Sequence, residues 1–183
     1  MAPFSSRYVI APGIGNSDPG HWQTQWQDDF GAAATRMAVS SWDEPELEDW
    51  VTAVGAAMTP GAVILAHSLG CLATLEWLAR HPGVAAGAFL VAVPDPEGPD
   101  FPQVITGFSR PRTPLAERLL VVGSNDDPYA GWEYTVATAA TIGAPLVELD
   151  AAGHISTASG RGPWPEGRRL LGQFVESLGS QRG

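Results

Sequence analysis

Short apolar runs alternate with longer amphipathic stretches along most of the chain. Tyr8-Val9-Ile10-Ala11 reads as a strand, and about 21–33 as a helix. A weak strand over 36–39 comes next, followed by a helix over about 45–58 with Leu47, Trp50, Val51 and Val54 at helical spacing and Pro45 at its first position. The rhythm continues with apolar runs at 62–66, 86–92, 118–122 and 145–149, and with helices over about 69–79, 129–142 and 166–178. Several of the strands are unbroken apolar runs, which a strand needs when helices cover both faces of a parallel sheet. The pattern predicts a three-layer α/β/α sandwich of about six parallel strands. Pro94 to Pro114 interrupts it with six prolines and little periodicity, and reads as a long loop with room for a short helix.

A chain of 183 residues suffices for one domain with a substantial core, and nothing in its composition divides 1–183 in two. Ten basic residues against twenty acidic give a net charge of -10, which repels phosphate backbones and anionic membrane surfaces. Nucleic-acid and membrane partners are therefore not expected. The single cysteine, Cys71, precludes an internal disulfide and is expected to be packed rather than reactive. The opening residues lack the basic-then-apolar pattern of a secretory signal, and no apolar run approaches the roughly 20 residues of a membrane span. A cytoplasmic location is the expectation.

In an open parallel sheet ligands bind beyond the carboxyl ends of the strands, so the residues after each apolar run are the candidates for chemistry. After the third run stands Ala66-His67-Ser68-Leu69-Gly70, a small-x-Ser-x-small nucleophile elbow with Ala66 in place of the usual first glycine. A serine that only caps a helix is the plainer alternative. A serine hydroxyl needs a base, and His154, after the last apolar run, is placed to serve. His67 should point away from the site, while His21 and His81 mark helix ends. The acid should follow 118–122, where both Asp126 and Asp127 stand; Asp127, before Pro128, could instead cap a helix. The order Ser, Asp, His agrees with an α/β-hydrolase. Oxyanion donors are expected from the backbone N–H groups of Leu69 and of Ile14, in the glycine-containing loop Pro12-Gly13-Ile14-Gly15. That loop lacks the third glycine of a dinucleotide fingerprint and the Lys-Ser/Thr of a P-loop. No metal-ligand motif such as His-Glu-x-x-His occurs, and no cofactor is expected.

These residues resemble a known family, the YdeN-like serine hydrolases, also described as retinoblastoma-binding-protein-9-like esterases. The resemblance spans nearly the whole chain. It rests on Pro12 to Ser17 followed by His21-Trp22-Gln23 and Trp26, on the elbow at Ser68, and on Asp127-Pro128-Tyr129. Its last part is Gly153-His154-Ile155, with a glycine-rich segment ending Trp164-Pro165. It implies an α/β-hydrolase without a large lid and a Ser68, Asp127 and His154 triad, the family aspartate being the one before Pro-Tyr. For His21 and Trp22 it implies no role beyond shaping the site.

The function expected is hydrolysis of a carboxylic ester or related small acyl substrate through an acyl-serine. Thioester cleavage or acyl transfer would use the same triad, and a protein-binding module could retain the fold without the activity. Phe101, Ile105 and Phe108 in the proline-rich loop either line an acyl pocket or cover the core.

Overall fold

The structure, a computed structural model, describes residues 7–179. The leading residues read above against a secretory signal lie outside that range except for Arg7. Six strands, β1 (Tyr8–Ala11), β2 (Ala34–Arg36), β3 (Val63–His67), β4 (Gly87–Val91), β5 (Arg118–Ser124) and β6 (Leu146–Leu149), form one sheet in the order β2-β1-β3-β4-β5-β6. All five pairings are parallel. Five α-helices accompany them: α1 (Trp22–Phe30), α2 (Leu47–Ala57), α3 (Leu69–Arg80), α4 (Trp132–Ile142) and α5 (Pro165–Gly179). None is long and apolar enough to cross a membrane among the described residues.

The unbroken apolar strands explain the layering, because successive side chains point to opposite faces and both faces are covered. Val9, Ala11, Ile64, Ala66, Ala88, Leu90 and Val121 join one core with Trp50 and Val54 of α2, Leu72 and Leu75 of α3 and Ile142 of α4. Their neighbours Ile10, Val63, Leu65, Phe89, Val91 and Val122 join the other, with Trp22 and Trp26 of α1 and Leu171 and Phe174 of α5. The result is the α/β-hydrolase fold in a small form without a large lid.

Several boundaries differ from the sequence reading, each for a local reason. α1 stops at Phe30, where Gly31 at φ 53 caps it and Phe30 stacks on Tyr8 at 4.1 Å. A short 3₁₀ turn then delivers the chain to β2 at 34–36 rather than 36–39. Pro45 is not the first residue of α2: Glu46 is the N-cap, its carboxylate accepting from the N–H groups of Glu48 and Asp49. Pro45 is held outside by Thr106, whose N–H donates to the Pro45 carbonyl at 3.0 Å. α4 begins at Trp132 rather than 129, after Gly131, so Asp127 caps no helix. The proline-rich segment forms no helix either, and is a strap whose ends are held by the Asp95 N–H donating to Tyr129 O at 2.9 Å and the Leu115 N–H donating to Ile142 O at 3.3 Å. Arg110 grips the Asp95 carboxylate at 2.6 and 2.8 Å, and Leu47 N–H donates to Thr106 O at 3.1 Å.

Strand order reverses direction between β1 and β3, the switch point at which open α/β sheets form their crevice. There the chain leaving β1 and the first turn of α3 approach closely. A Cβ on Gly70 would lie 2.2 Å from the Ala11 carbonyl oxygen and 2.4 Å from that of Pro12. Gly70→Ala is therefore expected to cost about 3 kcal/mol or more. Gly172→Ala, in α5 with open space around it, should instead stabilise by about 0.5–1 kcal/mol. Urea unfolding of the two variants beside the wild type measures both.

Candidate active site

Ser68 occupies the turn between β3 and α3 with φ 53 and ψ -126, a conformation that costs a non-glycine residue about 1–3 kcal/mol. Its N–H donates to Val91 O at 3.0 Å, which fixes the turn against β4. The strain lifts the hydroxyl off the sheet, where it donates to His154 Nε2 at 2.8 Å. His154 Nδ1 lies 2.9 Å from both carboxylate oxygens of Asp127. Because a carboxylate only accepts, that nitrogen carries the proton, and Nε2 presents its lone pair to the serine. Asp127 is almost fully buried, and the Tyr129 N–H donates to its Oδ1 at 2.9 Å. The Tyr129 ring stands edge-on to His154 with centroids 4.6 Å apart.

The two neighbouring carboxylates do different things. Asp126 does not touch His154; its Oδ1 accepts from Ser124 Oγ at 2.6 Å and from Gly153 N–H at 2.7 Å. These hydrogen bonds hold its carboxyl below the usual range and pin the residue preceding His154. That loop is strongly bent, with positive φ at Ala151, Gly153 and Ile155.

Gly13 lies directly over the elbow: a Cβ there would come 2.8 Å from Ser68 Cβ. The approach carries the next residue, Ile14, over the serine. Leu69 is the first residue of α3, so its N–H has no carbonyl one turn earlier in the helix. Neither the Ile14 nor the Leu69 amide donates to another group among the described residues.

The His-Trp-Gln element has a physical account that the sequence alone did not supply. Gln23 is fully buried, and its amide donates to Ala11 O at 3.1 Å and Leu65 O at 3.0 Å while accepting from Ser17 Oγ at 2.7 Å. One side chain thus ties the end of β1 to the middle of β3. Trp22 Nε1 donates to Ile155 O at 3.0 Å, anchoring the loop that bears His154. Trp26 and Trp164 stack beneath it with ring centroids 5.8 Å apart. The signal was present in the fixed run of residues, but a glutamine's burial and partners are not readable from a run.

His67 departs from expectation. Instead of pointing away it lines the cleft, and its Nε2 donates to the His154 backbone oxygen at 2.9 Å. Burial, with repulsion from His154 and His21, holds its pKa well below the ordinary value. Cys71 is buried with its thiol on Val91 O at 3.3 Å, and burial pushes its pKa up. Phe101 and Ile105 line the cleft, while Phe108 does not and stands edge-on to Trp50 at 6.0 Å. The cleft measures about 280 Å³.

Burial lowers the His21 imidazole from 6.5 to about 4; Asp18 opposes the shift, and the charges of Arg36 and His154 add to it. Between those two values the unfolded chain binds the additional proton, so stability is complete above about pH 6.5 and falls as pH drops toward about 4. His21→Asn keeps a capping oxygen for α1 but has no titrating ring. Its stability, measured by urea unfolding across that window, should decline less steeply than that of the wild type. An equal slope would mean that the folded imidazole titrates normally.

The sequence matches the family described as Serine hydrolase over residues 8–173. No curated protein matches it. Among solved structures it is similar to a protein described as a YdeN-like hydrolase from Pectobacterium atrosepticum. That similarity has a TM-score of 0.82 and 28% identity, covering 94% of this chain and 91% of that one. It is also similar to the ydeN gene product of B. subtilis, with TM-score 0.73, 22% identity and coverage of 93% and 99%. Esterase 2 of Thermogutta terrifontis shares the fold at TM-score 0.64, with 16% identity and coverage of 95% and 84%. With the match running from β1 into α5, and with its similarity to a YdeN-like hydrolase, the chain belongs to the serine hydrolase family.

Proposed function

We propose that this hydrolase cleaves carboxylic esters through an acyl-serine, with Ser68 as nucleophile, His154 as general base and Asp127 orienting the imidazole. The hydrogen-bonded chain from Ser68 Oγ through the His154 ring to Asp127, on an elbow with positive φ, is the observation that carries the reading. Ser68 Oγ attacks the acyl carbon as its proton passes to His154 Nε2. The Ile14 and Leu69 N–H groups receive the negative charge that develops on the carbonyl oxygen. His154 then protonates the departing oxygen as its bond to the acyl carbon breaks, releasing the alcohol. Water, deprotonated by the same nitrogen, hydrolyses the acyl-serine and restores the hydroxyl. Asp127 stays ionised throughout and stabilises the imidazolium in each half-reaction.

Ile14, Leu69, Phe101, Pro102 and Ile105 supply an apolar wall on one side of the serine. A cleft of about 280 Å³ lies just under the roughly 300–1,000 Å³ of pockets that enclose drug-sized ligands, which favours a short acyl chain over a fatty one. The strap that carries Phe101 and Ile105 is tied down at both ends, so the wall stays in place as substrate enters.

A fluorophosphonate, which reacts with an activated serine, should add once to the wild type and not to Ser68→Ala, as read by intact mass. No adduct on folded wild-type protein would overturn the mechanism. Ser68→Ala should lower kcat on short-chain esters by about 10⁴- to 10⁶-fold with the fold retained. Asp127→Asn should cost about 10⁴-fold, because its amide no longer selects the productive tautomer, whereas Asp126→Asn should stay within about tenfold of the wild type. The opposite ranking would transfer the orienting role to Asp126.

A further inference from the structure

The acyl wall is one part of the cleft; another part is polar and is built largely from different elements. A base that has taken the serine proton must return it to the departing oxygen, so the leaving alcohol lies on the His154 side of Ser68. That side is lined by His21, His67, Asp18, Ser156 and Thr157.

Two of these rings have their protons placed by the backbone. His21 Nδ1 accepts from the Gln23 N–H at 3.2 Å, which leaves the proton of the neutral ring on Nε2. His21 is 4% exposed, and its Nε2 is buried without a hydrogen-bond partner among the described residues. His67 is placed the opposite way round: its Nε2 must donate to the His154 carbonyl, so its Nδ1 keeps a lone pair. The two rings stand 4.7 Å apart, centroid to centroid. Beside them the Asp18 carboxylate is fixed by the Gly20 N–H at 2.7 Å. The wall therefore offers, in His21 Nε2–H, a buried donor without a partner among the described residues and, next to it, acceptors. No arginine lines it among the described residues, and the chain contains no lysine.

Resting on the acyl-serine reading, we propose that this wall selects a leaving alcohol bearing a second hydroxyl near the ester oxygen, so that the substrates are short-chain monoesters of small diols or polyols. A hydroxyl accepts from His21 Nε2–H and donates to His67 Nδ1 or Asp18, using both kinds of group at once. An alkyl leaving group leaves the buried donor without a partner, as it is in the free enzyme, and gains no hydrogen bond from it. An ammonium group has no lone pair for His21, and a carboxylate meets Asp18.

The test compares kcat/KM for ethyl, 2-methoxyethyl and 2-hydroxyethyl butyrate. The methoxy ester matches the hydroxy ester in inductive activation but has no O–H to donate. The hydroxyethyl ester should exceed the methoxyethyl ester about tenfold in the wild type, because only its O–H donates to His67 Nδ1 or Asp18; His21→Asn, which lacks the Nε2–H that both oxygens accept from, should lower kcat/KM for these two esters about tenfold more than for the ethyl ester. A wild-type ratio near one, or an equal loss on all three esters in His21→Asn, overturns the proposal; if that variant does not fold, the wild-type ratio alone decides. Fluorophosphonate labelling is read in parallel. An adduct without hydroxyl preference overturns this inference alone, whereas no adduct overturns the acyl-serine reading together with it.

Discussion

At the switch point of the sheet, the end of β1 and the start of α3 come closer than side chains permit. Gly70 faces the Ala11 and Pro12 carbonyl oxygens at distances no Cβ could occupy, and a Cβ on Gly13 would lie 2.8 Å from Ser68 Cβ. Two consequences follow from this single constraint. The helix α3 begins immediately after a serine held at positive φ, and the loop after β1 is pressed over that serine with its Ile14 amide free. Gln23 stabilises the junction from beneath by bonding to both strands, at Ala11 and Leu65. The strained turn persists because the backbone around it is specified from several directions at once.

The His154 loop obeys the same logic. Its positive-φ residues, Ala151, Gly153 and Ile155, would relax if left alone. Asp126 holds the Gly153 N–H, Trp22 holds the Ile155 carbonyl, and His67 holds the carbonyl of His154 itself. Each partner comes from a different element: the loop after β5, helix α1 and the end of β3. The imidazole is thereby aimed by backbone contacts before Asp127 selects its tautomer. Preorganisation of this kind is what removes the reorganisation cost from a reacting site.

The two walls of the cleft differ in polarity and largely in origin, sharing the loop after β1, which brings Ile14 to one and Asp18 to the other. The apolar wall depends on the strap between β4 and β5, fixed by the Asp95–Arg110 ion pair and by the backbone bonds of Thr106 to Pro45 and Leu47. The polar wall belongs to the loop after β1, the cap of α1 and the turn after His154. Substitutions in the strap can therefore retune the acyl side without disturbing the histidine cluster.

Unbroken apolar runs determined the parallel sheet and its covering on both faces, because period-2 side chains need no other information to find two cores. Small residues around Ser68 determined the elbow, since only they fit the turn. The order Ser, Asp, His then limited the triad to a few residues. The residues alone leave Asp126 and Asp127 open, and only the family resemblance points to Asp127; they differ by one position, and it is their orientation that sets Asp127 against His154 and Asp126 against Gly153. The inward turn of His67, the bracing by Gln23 and the separation of Phe101 and Ile105 from Phe108 were likewise decided by the tertiary structure. In each case the deciding partner lies far away along the chain, and local periodicity carries no record of contacts between distant segments.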